Sequence, residues 1–311
     1  MARRRKGTRI DGWLVVDKPA GITSTAVVNR VKRALGAAKA GHAGTLDPLA
    51  TGVLPIALGE ATKTVAYAME GTKRYRFTVR WGEKRTTDDA EGELVASSER
   101  RPSEAEIRAI LPRFAGELAQ VPPAYSAIKL EGRRAYDLAR AGHAPALAAR
   151  PVRIERFELL AAPDADHAVF EVDAGKGAYM RGLVRDLAAA LGTYGHIAAL
   201  RRLAVGGFGE AGAISLDKFE ALGHSPAAFE HLLPIETALA DIPALALTDT
   251  EARLLQRGRP VQVLRTADKA LIDGMAEGDV VCAMAGGKPA ALTQVRREPI
   301  LQLHPVRVFN L

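Results

Sequence analysis

Between Gly41 and Pro55 the chain reads Gly41-His42-Ala43-Gly44-Thr45-Leu46-Asp47-Pro48-Leu49-Ala50-Thr51-Gly52-Val53-Leu54-Pro55. Glycines and prolines bracket one imidazole and one carboxylate within a few residues, so the segment is expected to be a tightly constrained loop presenting His42 and Asp47. A carboxylate held in this way can serve as a nucleophile, forming a covalent intermediate that splits one difficult bond exchange into easier steps. The same residues also fit a plainer part, with Asp47 capping a turn ahead of Pro48 and His42 a polar loop residue.

Other chemistries lack the residues to run them. The run Gly36-Ala37-Ala38-Lys39-Ala40-Gly41 follows a phosphate-binding loop to its second glycine, but His42 and Ala43 stand where Lys and Ser/Thr would reach phosphate and magnesium. Gly175, Gly177 and Gly182 miss the dinucleotide spacing. The histidines form no metal-ligand pair at helical spacing, and the single cysteine, Cys282, forbids an intramolecular disulfide and any Cys-based zinc site. No Gly-x-Ser-x-Gly elbow exists. Neither a metal nor a cofactor is expected, and one lone thiol fits a reducing cytoplasm.

The elements that must position the loop alternate between short strands and helices from Gly12 to about Ala240. Trp13 to Val16 reads as a buried strand; Thr25 to Leu35 sets Val27, Val28, Val31 and Leu35 on one helical face, stopped by Gly36. Along Arg74 to Trp81, Tyr75, Phe77, Val79 and Trp81 point one way and Arg74, Arg76, Thr78 and Arg80 the other, giving an apolar face and a cationic one. Ser103 and Glu106 make a capping box before Ile107, Ile110, Leu111 and Phe114. Strands are expected at Ala124 to Leu130, Val152 to Leu160 and Ala168 to Val172, then a helix from Tyr179 to Leu191 closed by Gly192. This irregular order predicts an α+β fold with a mixed, largely antiparallel sheet and flanking helices. Past Asp241-Ile242-Pro243 a capped helix, Thr248 to Gln256, precedes strands at Val261 to Leu264, Asp279 to Met284, Ala290 to Val295 and Leu303 to Phe309. The expected division is a basic tail over 1–11, a main domain over 12–240 and a small β-rich module over 243–311.

With 311 residues, 48% of them hydrophobic and 25% charged, the chain has ample core for two domains. Its 43 Lys and Arg against 36 Asp and Glu leave a formal net charge of +7, which suits an anionic partner. The positive residues concentrate over 62–86 and 176–202, where phosphate contacts could position a nucleic acid without reading its bases. No apolar run approaches the 18 or so residues of a membrane span, and the one after the basic start is too short for a signal-peptide core.

The loop, together with Asp17-Lys18-Pro19-Ala20-Gly21-Ile22-Thr23-Ser24 and Gly59-Glu60-Ala61-Thr62-Lys63, resembles the TruB family, the bacterial tRNA pseudouridine-55 synthases. The resemblance continues through Lys73-Arg74-Tyr75, Thr87-Asp88-Asp89-Ala90-Glu91-Gly92, Val121-Pro122-Pro123-Ala124-Tyr125-Ser126-Ala127-Ile128-Lys129, Arg134-Ala135-Tyr136, Lys176-Gly177-Ala178-Tyr179-Met180-Arg181 and Leu200-Arg201-Arg202. The blocks stand in family order from residue 12 to about 210, and the β-rich module resembles the family's PUA-like RNA-binding extension more weakly.

This resemblance implies an isomerase that flips a T-arm uridine of tRNA out of its stack and needs no cofactor, metal or protein partner. It implies a cytoplasmic monomer with Asp47 as nucleophile and Arg181 as the cation that keeps that carboxylate charged and oriented. By the same analogy His42 takes the space the base leaves, Tyr75 stacks on the flipped base, and Tyr179 and the backbone at Leu200 hold its edge and face. Tyr75 also reads as a core aromatic beside Phe77. Lys18 is assigned to the substrate as a phosphate contact, with a solvated surface lysine as the alternative for it and for Lys63. Three positions depart from the family: Ala43, Ala174, and Arg85-Thr86, the last leaving contacts of its loop open. Two other readings remain, a tRNA-folding chaperone acting through the His42 loop and the catalytic subunit of an RNA-guided synthase.

Overall fold

Alternation along one extended strand organises the molecule. In the computed structural model, which describes residues 7–126, 129–130, 133–134 and 147–311, the strand Lys73–Trp81 buries Phe77, Val79 and Trp81 and exposes Arg74, Arg76 and Arg80. It lies within a large mixed sheet built from β1 (Gly12–Lys18), β2 (Ala40–His42), β3 (Thr51–Leu58), β4 (Lys73–Trp81), β5 (Gly116–Gln120), β6 (Arg150–Ala161), β7 (His167–Ala174), β8 (Gly195–Val205) and β9 (Ile214–Ser215). The strand order is β9-β1-β3-β8-β4-β7-β6-β5, with β2 beside β3. The pairings β3·β8 and β1·β9 are parallel, whereas those from β8 through β4, β7 and β6 to β5 are antiparallel. This is the mixed, largely antiparallel α+β architecture expected from the element order.

Helices cover one face of the sheet. α1 (Ser24–Ala34) turns Val27, Val28 and Val31 inward, and its N-cap Thr23 accepts the Ala26 N–H. α2 (Glu104–Ile110) carries the Ser103/Glu106 capping box, and α3 (Met180–Ala190) buries Leu183, Val184 and Leu187. These side chains join Leu14, Leu54, Phe77, Phe170 and Val172 in the main core.

The opposite face is covered in two ways. Near β1 and β3, Trp13, Val15, Val53 and Phe208 pack with Cys282, Leu292 and Phe309 of the C-terminal module. That module is a five-stranded sheet of β10 (Ala244–Ala246), β11 (Val261–Gln262), β12 (Val280–Ala285), β13 (Lys288–Arg296) and β14 (Gln302–Val308), in the order β10-β12-β13-β14-β11. The expected capped helix forms over Asp249–Gln256, its cap being a Thr248/Glu251 capping box, while β10 and a helix over Thr266–Ile272 were not anticipated.

Across β4, β7 and β6 the expected cationic face is neutralised. Cross-strand register sets Arg74 opposite Asp173 and Arg76 opposite Glu171, and Arg156 bridges Glu158, Glu171 and Asp173. Opposite charges directly across a ladder support the pairing of the strands. They also leave the outer face of β4 with little net positive charge to offer a nucleic acid, which narrows the reading of residues 62–86 as a phosphate-binding patch.

Two further expectations change. The loop expected over Gly41–Pro55 is confined to residues 43–50, because β2 ends at His42 and β3 begins at Thr51. The strand expected at Ala124 to Leu130 falls partly outside the described residues, as do the last two residues of Arg134-Ala135-Tyr136.

Gly52 is where the close packing of β3 on β8 is least forgiving. Its φ is +98°, and a Cβ there would lie 2.2 Å from the Arg202 carbonyl oxygen. Gly52→Ala should lower the unfolding free energy by roughly 2–4 kcal/mol, from left-handed backbone strain and overpacking together. Urea denaturation measures this, and a loss below about 1 kcal/mol would contradict the packing described.

Candidate functional site

The segment joining β2 to β3 is anchored on both sides of Asp47. On the upstream side Ser24, buried at the start of α1, donates through Oγ to the Leu46 carbonyl at 3.0 Å and accepts the Leu46 N–H at 2.8 Å. On the downstream side the Lys18 ammonium donates to the carbonyls of Ala50 at 2.6 Å, Pro48 at 3.0 Å and Pro19 at 2.9 Å. The turn itself closes through Ala50 N–H to the Asp47 carbonyl, 3.1 Å. Held this way, the Asp47 carboxylate is 34% exposed, at the edge of a cleft of about 480 Å³.

Lys18 is therefore neither a solvated lysine nor a phosphate contact. It is fully buried with its donors spent on the loop, and burial lowers its pKa to about 8 against a partial offset from Asp47. Its role is to gather carbonyls that would otherwise be unsatisfied inside the protein.

The Asp47 carboxylate meets Arg181, near the start of α3, whose Nε donates to Oδ2 at 2.9 Å. The other guanidinium nitrogens donate to the carbonyls of Thr87 at 2.9 Å and Tyr125 at 2.8 Å, and the side chain is 4% exposed. A second carboxylate, Asp89, lies 3.6 Å from the same Nε and is itself buried. Asp89 accepts the Glu91 N–H at 3.1 Å and the Thr87 hydroxyl. Sequence reasoning included this acid in a matching block without giving it a part; its signal was the Thr-x-Asp turn, which fixes the carboxylate against its own backbone.

Tyr75, Tyr179 and Leu200 line the same cleft as Asp47 and Arg181. The Tyr179 backbone is clamped by Gln120, which accepts its N–H at 2.8 Å and donates to its carbonyl at 3.1 Å, and burial pushes its phenol pKa up. Tyr75, half-buried on β4, packs against the core and faces the cleft as well, so its two readings are compatible. Arg202, a fully buried arginine that donates to Val53 O at 2.8 Å and Gly44 O at 3.0 Å, lines the same cleft. His42 is set apart: at the end of β2 it does not line the cleft, and its Nδ1 is buried with no partner among the described residues. Burial and the Arg202 charge lower its pKa, so the imidazole is neutral near pH 7.

Ion pairing sorts the two basic runs. Lys63, Arg74, Arg76, Arg80, Arg85, Lys176, Arg181, Arg185 and Arg201 each meet a carboxylate. Lys63 thus joins the paired cations, with Glu60 and the Val308 carbonyl as its acceptors. Among the described residues there is no group of three or more His, Cys, Asp or Glu side chains able to hold a metal, and no helix long and apolar enough to cross a membrane.

Comparison with known proteins gives concordant results. The model of the TruB family pseudouridylate synthase N-terminal domain matches residues 32–180, and that of the tRNA pseudouridylate synthase B C-terminal domain matches residues 181–240. The chain is 55% identical to the tRNA pseudouridine synthase B of Rhodospirillum rubrum over 100% of both chains. It is 62% identical to that of Gluconacetobacter diazotrophicus over 84% of this chain and 86% of the other. Among solved structures, its fold is similar to a chain of a Cbf5-Nop10-Gar1 complex, with TM-score 0.73, 25% identity and coverage of 96% and 84%. An H/ACA RNP bound to a substrate RNA containing 2'-deoxyuridine gives TM-score 0.72 at 22% identity, covering 100% and 92%. The join between the two family models falls inside α3, so it divides one continuous sheet rather than two bodies.

The pKa of Lys18 makes its burial measurable. Between about 8 in the folded protein and its ordinary value of 10.5, the unfolded chain binds the extra proton, so the charge-burial penalty is complete below pH 8 and relieved as pH rises. Lys18→Met should cost about 1–3 kcal/mol through unsatisfied carbonyls. The stability advantage of the wild type over this variant should grow from pH 8 to 10.5 in denaturation series. A difference independent of pH would refute the account.

Proposed function

Because the chain belongs to the TruB family of pseudouridylate synthases, a family of isomerases, we propose that it converts the T-arm uridine at position 55 of tRNA to pseudouridine. The reaction breaks the N1–C1′ bond, joins C1′ to C5 of the same uracil, and moves the C5 proton away while N1 gains one. Atoms balance within one nucleotide, with no other reagent. The observation that carries this reading is a half-buried carboxylate, Asp47, fixed by Ser24 and Lys18 and paired with the buried Arg181 at a cleft lined by Tyr75, Tyr179 and Leu200.

In this reading Asp47 attacks the target nucleotide and forms the covalent intermediate. Arg181 holds the attacking oxygen in one orientation through the Nε–Oδ2 hydrogen bond. Extruding the uridine costs about a few kcal/mol of stacking. Tyr75 recovers part of that on the face of the flipped base, and Tyr179 and the backbone at Leu200 hold its edge. His42, neutral and set apart from the cleft lining at the end of β2, fills the gap left in the RNA stack. The proposal places catalysis in residues 12–240 and RNA binding by the rest of the arm in residues 243–311. The protein works alone, as a cytoplasmic monomer.

The test is an unmodified T-arm hairpin incubated with the purified protein, with pseudouridine mapped at nucleotide resolution. Product at the family position without guide RNA or other protein is expected. Product only when a guide RNA is supplied would favour the RNA-guided reading instead. Asp47→Asn should lower the rate at least about a thousandfold, the scale expected for loss of a covalent nucleophile, with tRNA affinity changed only a few-fold. Substantial turnover by that variant would remove Asp47 from the mechanism, and retained tRNA folding by it would reveal a separable chaperone activity.

A further inference from the structure

Two cations at the cleft have no carboxylate partner among the described residues. Lys73 opens β4, and alternation puts it on the inward face with Tyr75 and Phe77 rather than on the outer face with Arg74 and Arg76. It is 7% exposed and lines the cleft with Met69 and the turn Gly175–Ala178. Its ammonium donates to the Met69 carbonyl, and no acid lies within ion-pair distance of it among the described residues. The acid at the end of the preceding helix, Glu70, is taken by Lys176. Arg202, one strand away on β8, is fully buried and donates to the carbonyls of Val53 and Gly44, with no carboxylate in ion-pair distance among the described residues. In the two basic runs the one other cation without a carboxylate among the described residues is Lys84, on an exposed hairpin.

Burying two neighbouring positive charges without a counter-ion is costly, and removing them from the surface gains nothing for solubility. Such a pair makes sense where a ligand brings the missing negative charge. The permanent anion of an RNA is its phosphodiester, since uracil enters the cleft neutral. We propose that Lys73, backed by the field of Arg202, binds a phosphodiester flanking the target uridine and so holds the extruded nucleotide in the cleft. This rests on the RNA-isomerase reading above and adds to it a residue that touches the backbone rather than the base. It also moves backbone recognition from the outer face of β4, where the arginines are already paired, to the inner face of the same strand.

Affinities for a T-arm stem-loop are compared in the Asp47→Asn background, with an uncharged methylphosphonate replacing the linkage 5′ or 3′ of the target uridine in turn. With Lys73 present, one of the two replacements should weaken binding about tenfold, the scale of a charge-assisted contact. With Lys73→Gln that loss should shrink below about twofold, because its partner is gone. Equal losses in both proteins at both linkages overturn the proposal.

A second arm covers failure of Lys73→Gln to fold. Burial beside Arg202 lowers the Lys73 pKa to about 8, with Glu70 opposing and Lys176 reinforcing the shift. Affinity of the Lys73 protein should therefore fall as pH rises from 7 to 9.5, more steeply than that of Lys73→Arg, which stays charged. Lys18 titrates in the same range in both and cancels. Identical pH profiles count against the contact. Pseudouridine formation by the wild type on the unmodified hairpin is scored separately: its absence sinks the isomerase reading, whereas its presence with additive losses sinks only the role of Lys73.

Discussion

The Arg181 guanidinium, 4% exposed and spanning Asp47, Asp89 and the carbonyls of Thr87 and Tyr125, is the contact on which the site depends. Those partners come from three separate stretches of chain, the β2–β3 connection, the turn before the exposed hairpin closes and the segment after β5, and Arg181 ties all three to α3. An arginine is suited to the task because its planar fork offers five donors in fixed directions and remains charged when buried. Breaking up such a group by deleting one member leaves the others uncompensated, so the arrangement is all-or-none. It fixes the direction from which the Asp47 carboxylate can be approached, and the cleft opens on that side.

Behind that contact the protein uses buried polar groups as rivets. Ser24 and Lys18 hold the peptide units on either side of Asp47, and Arg202 ties Gly44 to Val53. Each rivet runs from a strand or helix of the core to the short connection over 43–50, so a segment rich in glycine and proline behaves as part of the rigid scaffold. Preorganisation of this kind places a nucleophile without asking the substrate to supply the ordering.

Much of this was legible in the sequence, for reasons that can be stated. The alternation over residues 74–81, the valine stripe of α1 and the two capping boxes are local signals, and each element formed where expected. The two strands next to the site, β3 and β8, were not recognised. β3 contains Gly52 and Pro55, which read as turn residues; yet Gly52 is required by the close approach of Arg202, and the Pro55 carbonyl still accepts the Ala43 N–H. β8 carries Arg201 and Arg202 in the middle of a sheet, where side-chain polarity argues against a strand until their partners are known. Asp89 was given no part and Lys18 the wrong one for the same physical reason: their meaning lies in what they touch at long range, and a side chain's type does not reveal whether it will be solvated or enclosed. Net charge suffered similarly, since a formal +7 says nothing about which cations are already matched by acids on the neighbouring strand.

β3 has one more property that follows from its ends. It starts beside Asp47 and finishes at Gly59–Lys63, where Lys63 donates to the Val308 carbonyl and Glu60 accepts the Asn310 N–H from the C-terminal module. Eight extended residues span about 26 Å, and the strand is laced to β1 along its whole length. The nucleophile and the far module are thus the two ends of a ruler rather than two bodies on a hinge. A stiff molecule can touch both only if its own points of contact are spaced to match, so the strand's length discriminates among partners by size before any side chain does so by chemistry.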